Sequence, residues 1–380
     1  MSEYQYYEFQ AVDRPLTVAE MADLRALTTR ATITPTRLQN VYHWGDFKGD
    51  PLALMERHFD AFVYVANWGT HRLMLRLPRR LLDPRAARRH ETPACLEVHV
   101  RGEHVILALT SDDEDGDWVD DDEAEGWMPA LLPLRAELAG GDWRALYLAW
   151  LAGAQVGDLR DRACEPPIPP GLGALSASLQ ALVAFLRIDA DLLAVAAAAS
   201  ATPPPAPSAE LARWIAGLPT AQKDTWLTRV AMSEAAHVGA ELRRRFDGSD
   251  AARPFADGER TVGDLLAAAE ARAAERRRRE AERWEAERAQ RQREQAAARA
   301  RYLDGLVGQE EVLWGQVDAL VDTKRPKDYD LAVALVRDLR DLAARKEGAE
   351  VFAASLARLR QRCAKRPSLL ERLDRAGLTV

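Results

Sequence analysis

From Glu270 to Arg301 the chain reads EARAAERRRREAERWEAERAQRQREQAAARAR, almost wholly Ala, Glu, Gln and Arg, with no Gly or Pro. These are strong helix formers, so the stretch predicts one long helix. Val262, Leu265 and Leu266 give it an anchored first turn starting near Thr261. At first sight this is a coiled-coil rod, but a two-stranded coiled coil needs apolar a and d positions over several heptads. Between Ala267 and Arg301 only Trp284 is apolar and larger than Ala, so no register supplies that seam. Pairs such as Glu275 with Arg279 and Glu287 with Arg291 would each add about 0.2–0.5 kcal/mol. Eleven Arg against six Glu between 271 and 301 leave a formal charge of +5. The expectation is a solvated helix that spaces two bodies at about 1.5 Å per residue, with a basic surface and Trp284 as a docking point.

The rest of the chain must supply those bodies. Its 380 residues exceed one ordinary core and suggest two or three domains. Hydrophobic residues at 47% and charged residues at 29% are a globular, not a disordered, balance. A net charge of -7 argues against a generic nucleic-acid binder. Cys95, Cys164 and Cys363 lie far apart without CxxC spacing, which is neither a zinc nor a redox signature and fits a reducing compartment. MSEYQYYEF lacks a basic segment leading into an apolar run, and Ile188–Ala201 contains Asp189 and Asp191. Neither reads as a secretory signal or a membrane span, so a cytoplasmic bacterial protein with no membrane partner is expected.

Residues 1–165 read as an α+β body with a mixed sheet. Tyr7, Phe9 and Ala11 alternate with Glu8 and Gln10 as in a half-buried strand. Thr17 and Glu20 form a capping box, with Leu16 and Met21 at the staple positions. RLQNVYHW at 37–44 predicts a second strand, and Asp50-Pro51 opens a helix. On that helix Leu52, Met55, Phe59, Phe62 and Ala66 recur at helical spacing. Leu73, Leu75 and Leu77 mark a strand, and Leu96–Leu109 a hairpin. A type II′ turn at Gly102-Glu103 would pair Val100 with Val105, Val98 with Leu107 and Leu96 with Leu109. It would set His99 opposite Ile106, so His99 and His104 do not form a metal clip. Helix resumes over 128–157 with a break near Gly140-Gly141, and Trp143, Tyr147 and Trp150 share a face read as core.

PPIPP at 166–170 reads as a stiff linker. Beyond it, residues 171–250 form a helical middle region with two helices over 172–201, the second capped by Asp189. PPPAP at 203–207 precedes two more helices carrying Trp214 and Trp226, and Asp247–Gly258 reads as a loop. The charged helix spans 261–303, and 306–380 forms helical hairpins. Their faces are marked by Val312, Val317 and Leu320, by Leu331, Leu335, Leu339 and Leu342, and by Phe352, Leu356 and Leu359. Pro367-Ser368 opens a short last helix. The runs KRPKDYDLAVALVRDLRDLA and KRPSLLERLDRAGL resemble the C-terminal helical tail of bacterial SWIM zinc-finger proteins, over roughly the last 55 residues. The CxC and CxH zinc ligands of that family are missing, so the resemblance implies no zinc and, at most, a helical interaction module. The remainder is similar only to bacterial proteins of uncharacterised family.

No Walker loop, Rossmann fingerprint, nucleophile elbow or HExxH occurs, and no cofactor is implied. The densest chemistry lies in YHWGDFKGDP, where His43, Asp46 and Lys48 could do general acid–base work; the plainer reading is a strand end whose polar groups cap the next helix. Seven Arg from Arg72 to Arg89, notably Arg72, Arg76, Arg79 and Arg80, could face phosphate. The ten carboxylates of Asp112–Glu125 could instead neutralise them. That acidic run fails as an EF-hand, because Ser111 and Asp122 occupy the first and twelfth positions. A protein-interaction or scaffold role for an undefined protein partner leads. An enzyme sited at His43–Asp50, and nucleic-acid binding through Arg72–Arg89 or the charged helix, are the alternatives.

Overall fold

The computed structural model of the chain describes residues 4–113, 121–202, 208–231, 235–246, 260–346 and 348–379. The chain divides into two compact units, Met1–Glu275 and Arg276–Val380.

The first unit is built on β1 (Gln5–Gln10), β2 (Thr32–Ile33), β3 (Arg37–Tyr42), β4 (Ala61–Ala66), β5 (Thr70–Pro78), β6 (Leu96–Arg101) and β7 (His104–Asp112). They form one sheet in the order β2-β3-β1-β4-β5-β7-β6. Every ladder is antiparallel, where the sequence predicted a mixed sheet. Helical connections do join strands that run the same way, β3 to β4 and β5 to β6, but in the sheet an antiparallel strand separates the members of each pair. The hairpin register is the expected one, including His99 opposite Ile106. Gly102 turns it at φ +54, a backbone conformation that costs glycine little.

Short helices α1 (Val18–Leu27) and α2 (Pro51–Arg57) cover one face, followed in the chain by the single turn α3 (Pro84–Ala87). The Thr17/Glu20 capping box and the Asp50 cap are both formed. The helix expected to run through Phe62 and Ala66 ends at Arg57, however, and Ala61–Ala66 is β4. Its residues AFVYVA are nearly all buried, and a strand covered on both faces shows an apolar run without alternation. Such a run next to a real helix mimics helical spacing. Tyr7, Phe9, Leu38, Phe62, Met74 and Ile106 pack under Leu24, Leu54, Met55 and Phe59 on this face. Phe9 lies 4.4 Å from Phe62 and 5.1 Å from Phe59, ring centre to ring centre. Burying each such ring contributes about 1.5–3 kcal/mol.

The opposite face is covered by α4 (Asp121–Leu131), α5 (Pro133–Ala139), α6 (Arg144–Gln155), α7 (Ala177–Phe185) and α8 (Ala190–Ala198). Gly141, at φ +88, makes the expected break between α5 and α6. Tyr6, Val63, Val65, Leu73, Leu75, Leu77 and Leu107 meet Met128, Leu134, Tyr147, Trp150, Leu182 and Phe185 in one core. Residues on both sides of Pro166–Pro170 share that core, and Glu165, Pro166 and Pro167 are buried. Asp189 caps α8. Next come α9 (Ser208–Gly217), α10 (Thr220–Arg229) and α11 (Ala235–Phe246), the last unforeseen. The acidic segment 114–120, with the calcium spacing laid across it, lies outside the described residues, as do PPPAP and the whole 247–258 loop.

The long helix is α12 (Val262–Leu306). Thr261 and Asp264 cap it reciprocally, the Asp264 amide donating to Thr261 Oγ1 at 3.2 Å and the Thr261 amide to Asp264 Oδ2 at 2.9 Å. In the second unit α13 (Glu310–Asp322), α14 (Pro326–Arg345), α15 (Ala349–Arg362) and α16 (Pro367–Arg375) bury Val317, Val321, Val336, Leu339, Leu356, Leu359 and Leu373 with Leu303 of α12. Two expected core positions are exposed: Val312 at 60% and Leu331 at 57%. Leu313 is buried instead of Val312, and Tyr329, Ala332 and Val333 surround the turn of α14 from which Leu331 looks outward.

Candidate functional site

His43, Asp46 and Lys48 follow β3 and are all exposed. No hydrogen bond or ion pair links the three. Asp46 Oδ1 and the Gly45 carbonyl instead accept from Gln5 Nε2 at 2.9 and 3.0 Å, and Phe47 is buried against Tyr7 and Phe9. Gln5 Oε1 accepts in turn from the hydroxyls of Tyr7 and Tyr64. Burial pushes the Tyr7 phenol up to about 12 and raises Tyr64 as well, so both remain donors. These bonds anchor the loop to the sheet, while His43 tilts against Tyr4 and Arg30 lies over Trp44.

The arginines do not share one face. Arg76 is buried and gives Nε and Nη2 to Asp60 Oδ1 at 3.1 and 2.8 Å and Nη1 to the Glu56 carbonyl. Asp60, 1% exposed, also accepts from the amides of Val12 and Asp13. Arg135 completes the group by donating to Asp13 and to the Arg76 carbonyl. Arg76 is therefore held inside the fold, away from any phosphate. Arg72 is half-buried between Tyr64 and Thr110 on adjacent strands, and its Nε is buried without a hydrogen bond. Arg79 is exposed and donates to the Gly102 carbonyl. Arg80 bonds Glu241, which the hydrogen bonds of Arg229 chiefly, against the opposing effect of burial, hold down at about 2.

Two buried polar groups escaped the sequence. His71, 3% exposed, stacks on Phe185 at 4.9 Å and places Nδ1 3.0 Å from the Phe185 carbonyl. Its Nε2 lies 3.2 Å from Arg187 Nη2, so Nδ1 carries the proton and Nε2 accepts. Burial, aided by the Arg187 charge, lowers His71 to about 4. Arg187 also reaches the Gly69 carbonyl and Ser111, from a backbone at φ +54. The second group is Glu165, whose carboxylate takes Arg260 Nε and Nη2 at 2.9 and 2.8 Å and the Tyr147 hydroxyl. Residues 116 and 95 positions apart in the chain meet here, a convergence that no local spacing signals. Each group satisfies itself, which is the behaviour of a buried structural network.

Trp284 stands apart from these. It is 66% exposed, and all residues of α12 from 276 to 288 and from 290 to 298 are exposed with it. The helix binds its own charges through Arg276–Glu280, Arg278–Glu282 and Arg283–Glu287. Glu287 pairs back to Arg283, where the sequence predicted Arg291. Among the described residues no group of three His, Cys, Asp or Glu side chains converges as a metal site, and no helix is long and apolar enough to cross a membrane. Comparison with protein-family models, curated proteins and solved structures gives no match.

Proposed function

We propose that this is a protein-interaction protein whose contact surface is the exposed middle of α12, supported at its C-terminal end by the helical unit. The observation that carries the reading is Trp284, an indole kept in water on a helix whose neighbours offer it no core. Tryptophan and arginine are the side chains most enriched where interfaces concentrate their energy. Both are present in that stretch, whereas His43, Asp46 and Lys48 form no converging set.

A photo-crosslinking side chain at the exposed Gln292 of the full chain, in the cells that make it, tests this. Discrete adducts should form there and be absent when the same group replaces the exposed Val18 on α1. Equal labelling from both positions, or none from Gln292, removes the helix as a contact surface.

A further inference from the structure

On a helix of 3.6 residues per turn, Trp284, Arg288, Arg291 and Gln295 fall in one stripe, and Arg299 and Tyr302 continue it. The lower end of that stripe is already engaged within the second unit. Arg299 Nη1 and Nη2 lie 2.5 Å from Asp338 Oδ1 and 2.8 Å from Asp341 Oδ2. The Tyr302 hydroxyl donates to Asp338 Oδ2 at 2.9 Å, and the Arg299 guanidinium sits 5.5 Å over the Tyr302 ring. An arginine and an aromatic three residues apart on α12 thus read two carboxylates three apart on α14.

The upper end carries the same chemistry with no acceptor. Arg288 and Arg291 are exposed and make no hydrogen bond or ion pair among the described residues, unlike Arg276, Arg278 and Arg283. Glu280 and Glu287, which flank the stripe, are held by Arg276 and Arg283. Two uncommitted guanidinium groups beside an exposed indole make a local positive face on a chain whose net charge is -7. We propose that Trp284, Arg288 and Arg291 dock an acidic helix of a partner protein. That helix presents carboxylates three or four residues apart, as α14 does to Arg299 and Tyr302. This inference rests on the interaction reading above and names the chemistry of the partner. A nucleic acid is the less suited occupant, because the matching pair at the lower end of the stripe, Arg299 and Tyr302, is fitted to carboxylates carried three apart on a helix.

The probe is a fluorescein-labelled, alanine-rich helical peptide carrying Asp pairs three residues apart, titrated with the full chain at low ionic strength and followed by anisotropy. The expected result is binding that weakens about tenfold for the double variant R288Q/R291Q, and severalfold for W284A. It should be lost when Asn replaces Asp in the peptide. R293Q, on the opposite side of the helix, should bind as the parent does, and circular dichroism should show equal helicity for all variants. No binding by the parent chain, equal loss in R293Q, retention in R288Q/R291Q, or tighter binding of single-stranded DNA than of the peptide each overturns the acidic-helix assignment. Adducts at Gln292 without peptide binding overturn this assignment while leaving the interaction reading standing.

Discussion

At the scale of single residues, the chain's buried polar groups set how its stability responds to pH and to substitution. His71 and His90 are each nearly solvent-free, and burial first of all lowers both to about 4. In the unfolded chain they protonate near 6.5. Between those values the unfolded state holds the extra proton, so stability is fully present above about pH 6.5 and falls as pH drops toward 4. The loss is on the order of 3 kcal/mol per histidine. Urea midpoints measured from pH 7 to pH 4.5 should decline, with a shallower slope in the variant His71→Gln. A second expectation concerns Asp60, which joins Arg76 to the amides of Val12 and Asp13. Asp60→Ala leaves a buried guanidinium without its carboxylate and should cost about 3–5 kcal/mol in denaturant unfolding. None of this was legible beforehand. His71 and Asp60 have unremarkable neighbours in sequence, and their partners come from strands and helices far along the chain.

At the scale of elements, legibility followed the strength of local signals. The capping box at Thr17, the Asp50 and Asp189 caps and the Gly102 hairpin each depend on side chains within a few residues, and all form as read. β4 was lost because its burial on both faces erased the alternation that marks a strand. Val312 and Leu331 were misplaced because periodicity locates an apolar stripe but does not say which flank a neighbouring helix will cover. The start of α12 shows the opposite case, where a local cap is reinforced from afar. The amides of Glu165, Val262 and Gly263 bond the carbonyls of Arg260, Ala163 and Asp161, and Glu165 takes the Arg260 guanidinium. Glu165→Gln keeps the shape but removes the charge, and Arg260 is about a quarter exposed. The expected cost is therefore below that of a fully buried pair, about 2 kcal/mol. Hydrogen exchange should accelerate at Val262–Leu266 before it does in the sheet.

At the scale of the whole molecule, the buried residues gather in cores that do not mix the two units. Leu303 and the apolar faces of α13–α16 form one, and the two faces of the sheet form the others. Calorimetry should therefore resolve two heat-absorption transitions, of which Asp60→Ala lowers only one; a single transition moved as a whole would show that the units unfold together. The sheet has a further consequence for how this protein can meet others. One border is the two-residue β2. The other is β6, where the Val98 amide is taken by the Glu91 carboxylate, Leu96 bridges to Thr92, and Glu97 and Arg101 are exposed. Short and charged borders of this kind discourage strand-to-strand recruitment. Fibrillar self-association and the grafting of a foreign strand are therefore both disfavoured at these two borders.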